Sequence, residues 1–318
     1  MSSNLASTLE FPSEPLLSRG CPPQPPSYVL TATTDGSPSG MSYIVTSIVE
    51  CITEREKGLR RVFRVKVRSE TFQEPRQLIC KVAFGRQWFR SLEAEALLYE
   101  QKLKPLWGKV VPHYYGFFRG DTYEGKTGIL LMEDCGQPAS DELSRQPLYF
   151  RKLLLEAFVA LHRAGVSFQD SGLCFEDNVV IHYDPASDKH VPKLIDFSVV
   201  YPDHQCLYNH SEIVEGAPEP SLSEISCHLL WWTFCSSAVF IPRCVMVRGT
   251  PVPWEYATDA ETLKAHCTFP EFVTEDAIER QIAAALEERA RWEQEREECD
   301  YGPVRVKRER ELDVSESR

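Results

Sequence analysis

The sequence contains no apolar run approaching the roughly 20 residues that a membrane-spanning helix needs, which excludes a helical membrane anchor. It lacks a basic start followed by an apolar core, so no secretory signal is expected. Its 11 cysteines are scattered singly. There is no C-x-x-C pair and no Cys/His run with zinc spacing, so no metal framework is expected from the order of residues. Unpaired thiols fit a reducing compartment, and the expected location is intracellular, cytoplasmic or nuclear. Positive charge is also in deficit. Thirty-five Lys and Arg stand against 47 Asp and Glu, a formal charge of −12. This argues against general binding to nucleic acid or to anionic membranes.

The 318 residues are 42% hydrophobic, enough for one large domain or two lobes with a substantial core. Residues 1–40 are rich in Ser, Pro, Thr and Gly and include PPQPPS, so a disordered leader is expected. Tyr43–Glu54 is mostly β-branched and apolar and reads as a strand. A turn with one glycine, Gly58, follows. Arg61–Arg68 alternates, with Phe63, Val65 and Val67 on one face and Arg64, Lys66 and Arg68 on the other, the pattern of a half-buried strand. Gln77–Phe84 reads as a third strand carrying one charge, Lys81, which is costly to bury unless paired. Phe89–Leu103 fits a helix with the stripe Leu92, Ala96, Tyr99 and Leu103. Glu95 lies beside that stripe and is placed to pair with Lys81, with Glu93 as the alternative. Val110–Phe118 and Gly128–Met132 read as two more strands.

The stretch Leu161–Ser198 carries most of the remaining chemistry. Helix 148–162 ends at Gly165 and runs into a short strand, Val166–Phe168. Asp170 follows, then a polar loop to Asn178 and strand Val179–Ile181. Strand Pro192–Ile195 ends in Asp196. Two carboxylates and an amide at strand ends are hard oxygen ligands suited to magnesium and phosphate.

In order, the segments LICK, GILLMEDCGQP, LHRAGVSFQD, NVVI and KLIDFS resemble the protein-kinase-like superfamily, nearest its fungal-type and aminoglycoside-phosphotransferase-like members. The resemblance covers about residues 43–200. It implies a two-lobed α+β fold, with an N-lobe of antiparallel sheet plus helix over about 41–135 and a shortened, mostly helical C-lobe over about 136–240. It also implies ATP and Mg²⁺ as cofactors. Lys81 would hold the nucleotide phosphates and Glu95 would orient it. Glu133, Asp134 and Cys135 would form an adenine-binding hinge, Asp170 would be the catalytic base, and Asn178 and Asp196 would hold the metal. The sequence departs from the pattern at several points. Phe168–Gln169 precedes Asp170, and Ser198 stands where the metal-binding motif has glycine. Asn178 follows Asp170 by eight positions (178 − 170) where the pattern allows five. The glycine-rich loop is reduced to Gly58.

Two functional classes follow. One is an ATP-dependent phosphotransferase acting on a protein Ser/Thr or a small-molecule hydroxyl. The other is a catalytically inactive pseudokinase serving as a binding or scaffold module. Beyond Ser198 the resemblance thins to GAPEPS at Gly216–Ser221. Ser223–Val239 reads as one buried helix, and 240–270 as irregular, with prolines as breakers. Residues 241–318 are expected to form an extension with a charged helix at 272–298, a possible partner site, and a disordered tail.

Overall fold

The computed structural model describes residues 6–16, 25–32, 40–139, 143–169, 178–208 and 212–306. In chain order its elements are β1 (Thr8–Pro12), β2 (Ser27–Ala32), β3 (Ser42–Arg55), β4 (Arg60–Ser69), β5 (Arg76–Phe84), α1 (Gly85–Gln101), β6 (Tyr114–Thr122), β7 (Gly125–Glu133), β8 (Gln137–Pro138), α2 (Leu148–Arg163), β9 (Ser167–Phe168), β10 (Val179–Asp184), β11 (Lys189–Leu194), β12 (Val200–Tyr201), α3 (Leu222–Ile225), α4 (His228–Ser236), β13 (Cys244–Val247), β14 (Thr250–Pro253), α5 (Ala260–Ala265) and α6 (Glu275–Cys299). They divide into two compact units. Unit 1 comprises residues 1–136, 163–169 and 193–204; unit 2 comprises 137–162, 170–192 and 205–318.

Unit 1 is built on a closed seven-stranded barrel in the order β1-β2-β6-β7-β5-β4-β3. All neighbours are antiparallel except β1 and β3, which run parallel with Leu9 opposite Tyr43. Side chains alternate along each strand, so one set fills the barrel. Leu9, Phe11, Leu30, Phe63, Val65, Val67, Leu78, Cys80, Val82, Phe118, Ile129 and Leu131 form that core. Strand β3 is bulged three times against β4, near Thr46, Val49 and Ile52, which bends it around the curve.

This architecture corrects the expected two-lobed, kinase-like α+β fold. The barrel is closed, and the strands that close it come from the presumed disordered leader. β1 bridges to β3 on one side and to β2 on the other, and β2 pairs with β6. The leader's overall Pro/Ser content hid two short alternating segments. In TLEFP, Leu9 and Phe11 are fully buried; in SYVLTA, Leu30 is. Residues 41–240 are therefore not a kinase-like domain. The barrel lends no support to ATP binding. The expected tail beyond residue 306 lies outside the described residues. Among the described residues no helix is long and apolar enough to cross a membrane.

Unit 2 carries most of the helices. Strands β8 and β10 lie here, with residues 189–192 of β11. The expected single helix 223–239 is two, because Ser226 adopts a left-handed conformation (φ 54°) between α3 and α4. Ser221 starts α3 with a capping box: its side chain accepts from the Glu224 N–H, and Glu224 accepts from the Ser221 N–H. GAPEPS is thus a helix approach. The region read as irregular contains the hairpin β13–β14, turned through Arg248 and Gly249, both at positive φ. Pro251 and Pro253 are tolerated because β14 has only one partner. Helix α6 buries Ile278, Ile282 and Ala285 against Val245, Val247, Val252 and Leu263, so this stripe packs within its own unit. Arg151 of α2 is fully buried. It donates to the carbonyls of Gln146 (2.8 Å), Ser237 (3.2 Å) and Ala238, and to the Asp300 carboxylate.

Closure by the leader makes a direct prediction. Phe11→Ala should cost about 3–5 kcal/mol in urea denaturation, as for a large side chain removed from a core. Deleting residues 1–32 should leave β3 and β6 as open edges and abolish the cooperative transition of unit 1. Unchanged stability in either variant would show that the closing strands are dispensable.

Candidate functional site

The site grows from the alternation of β5. Leu78, Cys80 and Val82 point into the barrel, so Lys81, between Cys80 and Val82, points to the outside. Strand β5 is internal to the sheet, with Lys81 opposite Val62 on β4 and Leu130 on β7. The outer face at this point is covered by α1, whose buried residues are Phe89, Leu92, Glu95, Ala96 and Tyr99. Glu95 therefore lies within the buried stripe rather than beside it. Lys81 Nζ donates to Glu95 Oε1 at 2.7 Å. Glu93, the alternative partner, is half-buried on the helix flank.

A third group comes from residues 193–198. Lys193, itself buried, donates to the carbonyls of Gly108 and Lys109, the latter at 2.9 Å, and the Leu194 N–H donates to Val110 O at 2.8 Å. These contacts fix the segment. Two residues later Lys81 Nζ donates to Asp196 Oδ1 at 3.2 Å, and the Phe197 N–H donates to Glu95 Oε1 at 3.2 Å. The Phe197 ring stacks on Phe168 (5.5 Å between centroids) and meets Tyr99 edge-on (5.5 Å). Asp196 is held at φ 59°, in the left-handed region, which aspartate tolerates better than most residues. Its carboxylate also accepts a hydrogen bond from Ser198. The serine that departs from the metal-binding motif thus has a local partner.

The electrostatics are asymmetric. Burial alone would lower the Lys81 pKa, but the carboxylates of Asp196 and Glu95 outweigh it and raise it. Asp196 is held well below the usual carboxylate range by the Lys81 charge, against the opposing effect of burial. Glu95 is raised, because burial exceeds the pull of Lys81. The cluster is therefore best described as a Lys81⁺–Asp196⁻ pair with Glu95 pushed toward neutrality. Asp196 is the more accessible carboxylate, with 29% of its side chain exposed against 2% for Glu95. A magnesium ion typically takes one or two carboxylates and completes its shell with water and phosphate. Asp196 fits one such ligand. The Tyr99 hydroxyl, beside Glu95 and Asp196, is buried with no hydrogen-bond partner among the described residues.

The remaining expected residues fall elsewhere. The Glu133 carboxylate accepts from the His113 N–H at 2.9 Å, and Asp134 accepts from Arg64 and Gln77, both at 2.8 Å. Cys135 is buried, and burial raises its thiol pKa. The two carboxylates of the expected hinge are thus tied into structural contacts. Asp170 lies outside the described residues. Asn178 is half-buried, immediately before β10 in unit 2. Sequence reasoning passed over Tyr99 as a polar group, treating it only as part of an apolar stripe. It also missed Lys193 as the anchor of the Asp196 segment; a lysine flanked by Pro192 and Leu194 was the available signal.

No family model matches the chain, and no curated protein matches it.

The cluster generates two predictions. Lys81→Met should destabilise unit 1 by about 3–5 kcal/mol, because it leaves Glu95 buried without its cation. The double variant Lys81→Met/Glu95→Leu should cost less than the sum of the singles in a denaturation cycle. The second concerns pH. The depressed Asp196 pKa contributes stability that is present above the ordinary Asp value of about 3.9 and is lost as pH falls through its lower folded value. Asp196→Asn should flatten that acid limb. Glu95 has the opposite sign: its contribution is present below the ordinary Glu value and is lost as pH rises through the raised one. Glu95→Gln should therefore flatten the limb above about pH 4.3. Stability curves at several pH values check both.

Proposed function

We propose that unit 1 binds the phosphates of a magnesium–nucleotide at the Lys81–Glu95–Asp196 cluster, and that the chain is a phosphotransferase acting on a protein or small-molecule hydroxyl. The observation that carries this reading is a single lysine held between two carboxylates, one buried and one accessible. Lys81 neutralises phosphate charge. Glu95, fixed by the Phe197 N–H, keeps the ammonium aimed outward from β5. Asp196 would supply an anionic oxygen to a magnesium ion, whose charge would help to neutralise the phosphates. Catalysis at such a site consists of positioning and charge neutralisation on the transferring phosphoryl group. By residue type and order in the sequence alone, Asp170 remains the candidate base for an acceptor hydroxyl and Asn178 a candidate metal ligand.

Thermal melts with ATP as the probe test it. At a hundredfold excess over Kd, Mg²⁺–ATP should stabilise the protein by about 2.7 kcal/mol, a rise of about 5–10 °C. Asp196→Ala should remove the magnesium-dependent part. Asp170→Asn should retain binding and lose phosphoryl transfer. No shift in the wild type at millimolar nucleotide would overturn the reading. A magnesium-dependent shift without turnover toward any hydroxyl acceptor would reduce it to a binding module.

A further inference from the structure

A second cluster of chemically competent side chains lies within unit 2 and is independent of the nucleotide reading. His162 sits at the end of α2 and is buried. Cys227 is the N-cap residue of α4 and is buried. Cys206 lies in the loop beyond β12 and is half-buried. All three ligand atoms lie within 4.8 Å of one another. Cys227 Sγ is 3.6 Å from His162 Nδ1, and the Cys206 and Cys227 thiols are in hydrogen-bond contact. Both cysteines are thiols rather than half-cystines.

We propose that His162, Cys206 and Cys227 form a structural zinc site. The spacing is what a shared ion requires. Zinc bonds of about 2.3 Å to sulfur and about 2.0–2.1 Å to nitrogen, at tetrahedral angles, set S and N ligands about 3.6 Å apart and two sulfurs about 3.8 Å apart. The observed S···N distance matches the first value. Two thiolates and an imidazole are soft and borderline donors, which select zinc over magnesium or calcium. Cys227 stands at a helix N-terminus, where an anionic ligand is electrostatically favoured. Closed, four-ligand shells are the rule for structural zinc, and these residues supply three of the corners. Binding removes a proton from each thiol and leaves zinc(II) unchanged in oxidation state. The three ligands are far apart in sequence, so the ion would tie the end of α2, the loop at 206 and the start of α4 into one point. That dispersal is also why no zinc-like spacing is visible in the sequence.

The full chain, expressed with zinc in the medium and held in reducing, chelator-free buffer, tests this by elemental analysis. About one zinc per chain is expected. It should fall at least tenfold in Cys206→Ser/Cys227→Ser and in His162→Ala, and persist in Cys235→Ser. The wild type supplies a second reading that does not depend on the variants folding. Chelation should lower the Tm, and added Zn²⁺ should restore it. Cobalt substitution should give a tetrahedral visible spectrum with a thiolate charge-transfer band. Three results would overturn the site: a wild type that neither carries nor takes up zinc, full zinc content in the double cysteine variant, or a Cys206–Cys227 disulfide in protein purified anaerobically.

Discussion

Closure of the sheet by β1 is the constraint on which unit 1 depends. Without β1, strand β3 has a row of unpaired backbone groups along one side, and β2 loses its partner toward β3. With it, every strand of the barrel has two neighbours and the inner faces enclose a continuous apolar core. Closure also assigns the outside. Once Leu78, Cys80 and Val82 are committed inward, Lys81 has no choice of face. Among the described residues, its counter-charges come from α1 and from the segment containing Asp196, both laid over the barrel wall.

That dependence explains which features could be read from the sequence. The pairing of Lys81 with Glu95 was legible because a lone charge in an apolar strand needs a counter-charge, and the next helix offered one at the right phase. Helices α2 and α6 were legible because both are long and free of internal proline, although the stripe of α6 is narrow and interrupted at Arg289. Strands β1 and β2 were not. They are five and six residues long and sit among Pro- and Ser-rich neighbours, so the composition of the window outweighed the alternation inside it. The fold assignment failed for that reason: motif order resembled one architecture while two overlooked strands built another. The break at Ser226 was illegible because serine gives no warning of a left-handed conformation. The hairpin β13–β14 was misread because its prolines were counted as breakers before its edge position was known.

The charged cluster has a division of labour that residue identity alone does not reveal. Two carboxylates contact one ammonium, yet they differ in depth. Burial pushes Glu95 toward its neutral form, while Asp196, nearer the surface and also accepting from Ser198, keeps its charge. One acid thus acts as a positioning group and the other as the available anion. The left-handed backbone at Asp196 contributes to this difference, since it turns the carboxylate back toward Lys81 while the next residue's N–H reaches Glu95.

The buried Arg151 sets a condition on the order in which unit 2 is completed during synthesis. Its guanidinium is satisfied by one carbonyl five positions before it, by two near residue 237, and by the Asp300 carboxylate 149 positions later. The chain emerges from the ribosome N-terminus first. Helix α2 therefore appears carrying a cation whose anion has not yet been made. At about 5–20 residues per second the interval before residue 300 emerges is about 7–30 s. Burying the guanidinium before that carboxylate exists would leave it without its counter-charge, which is costly. The barrel strands, by contrast, are all made by residue 133. All seven barrel strands thus precede α2 in order of synthesis, whereas the carboxylate that completes the Arg151 contacts follows α2 by most of the remaining chain.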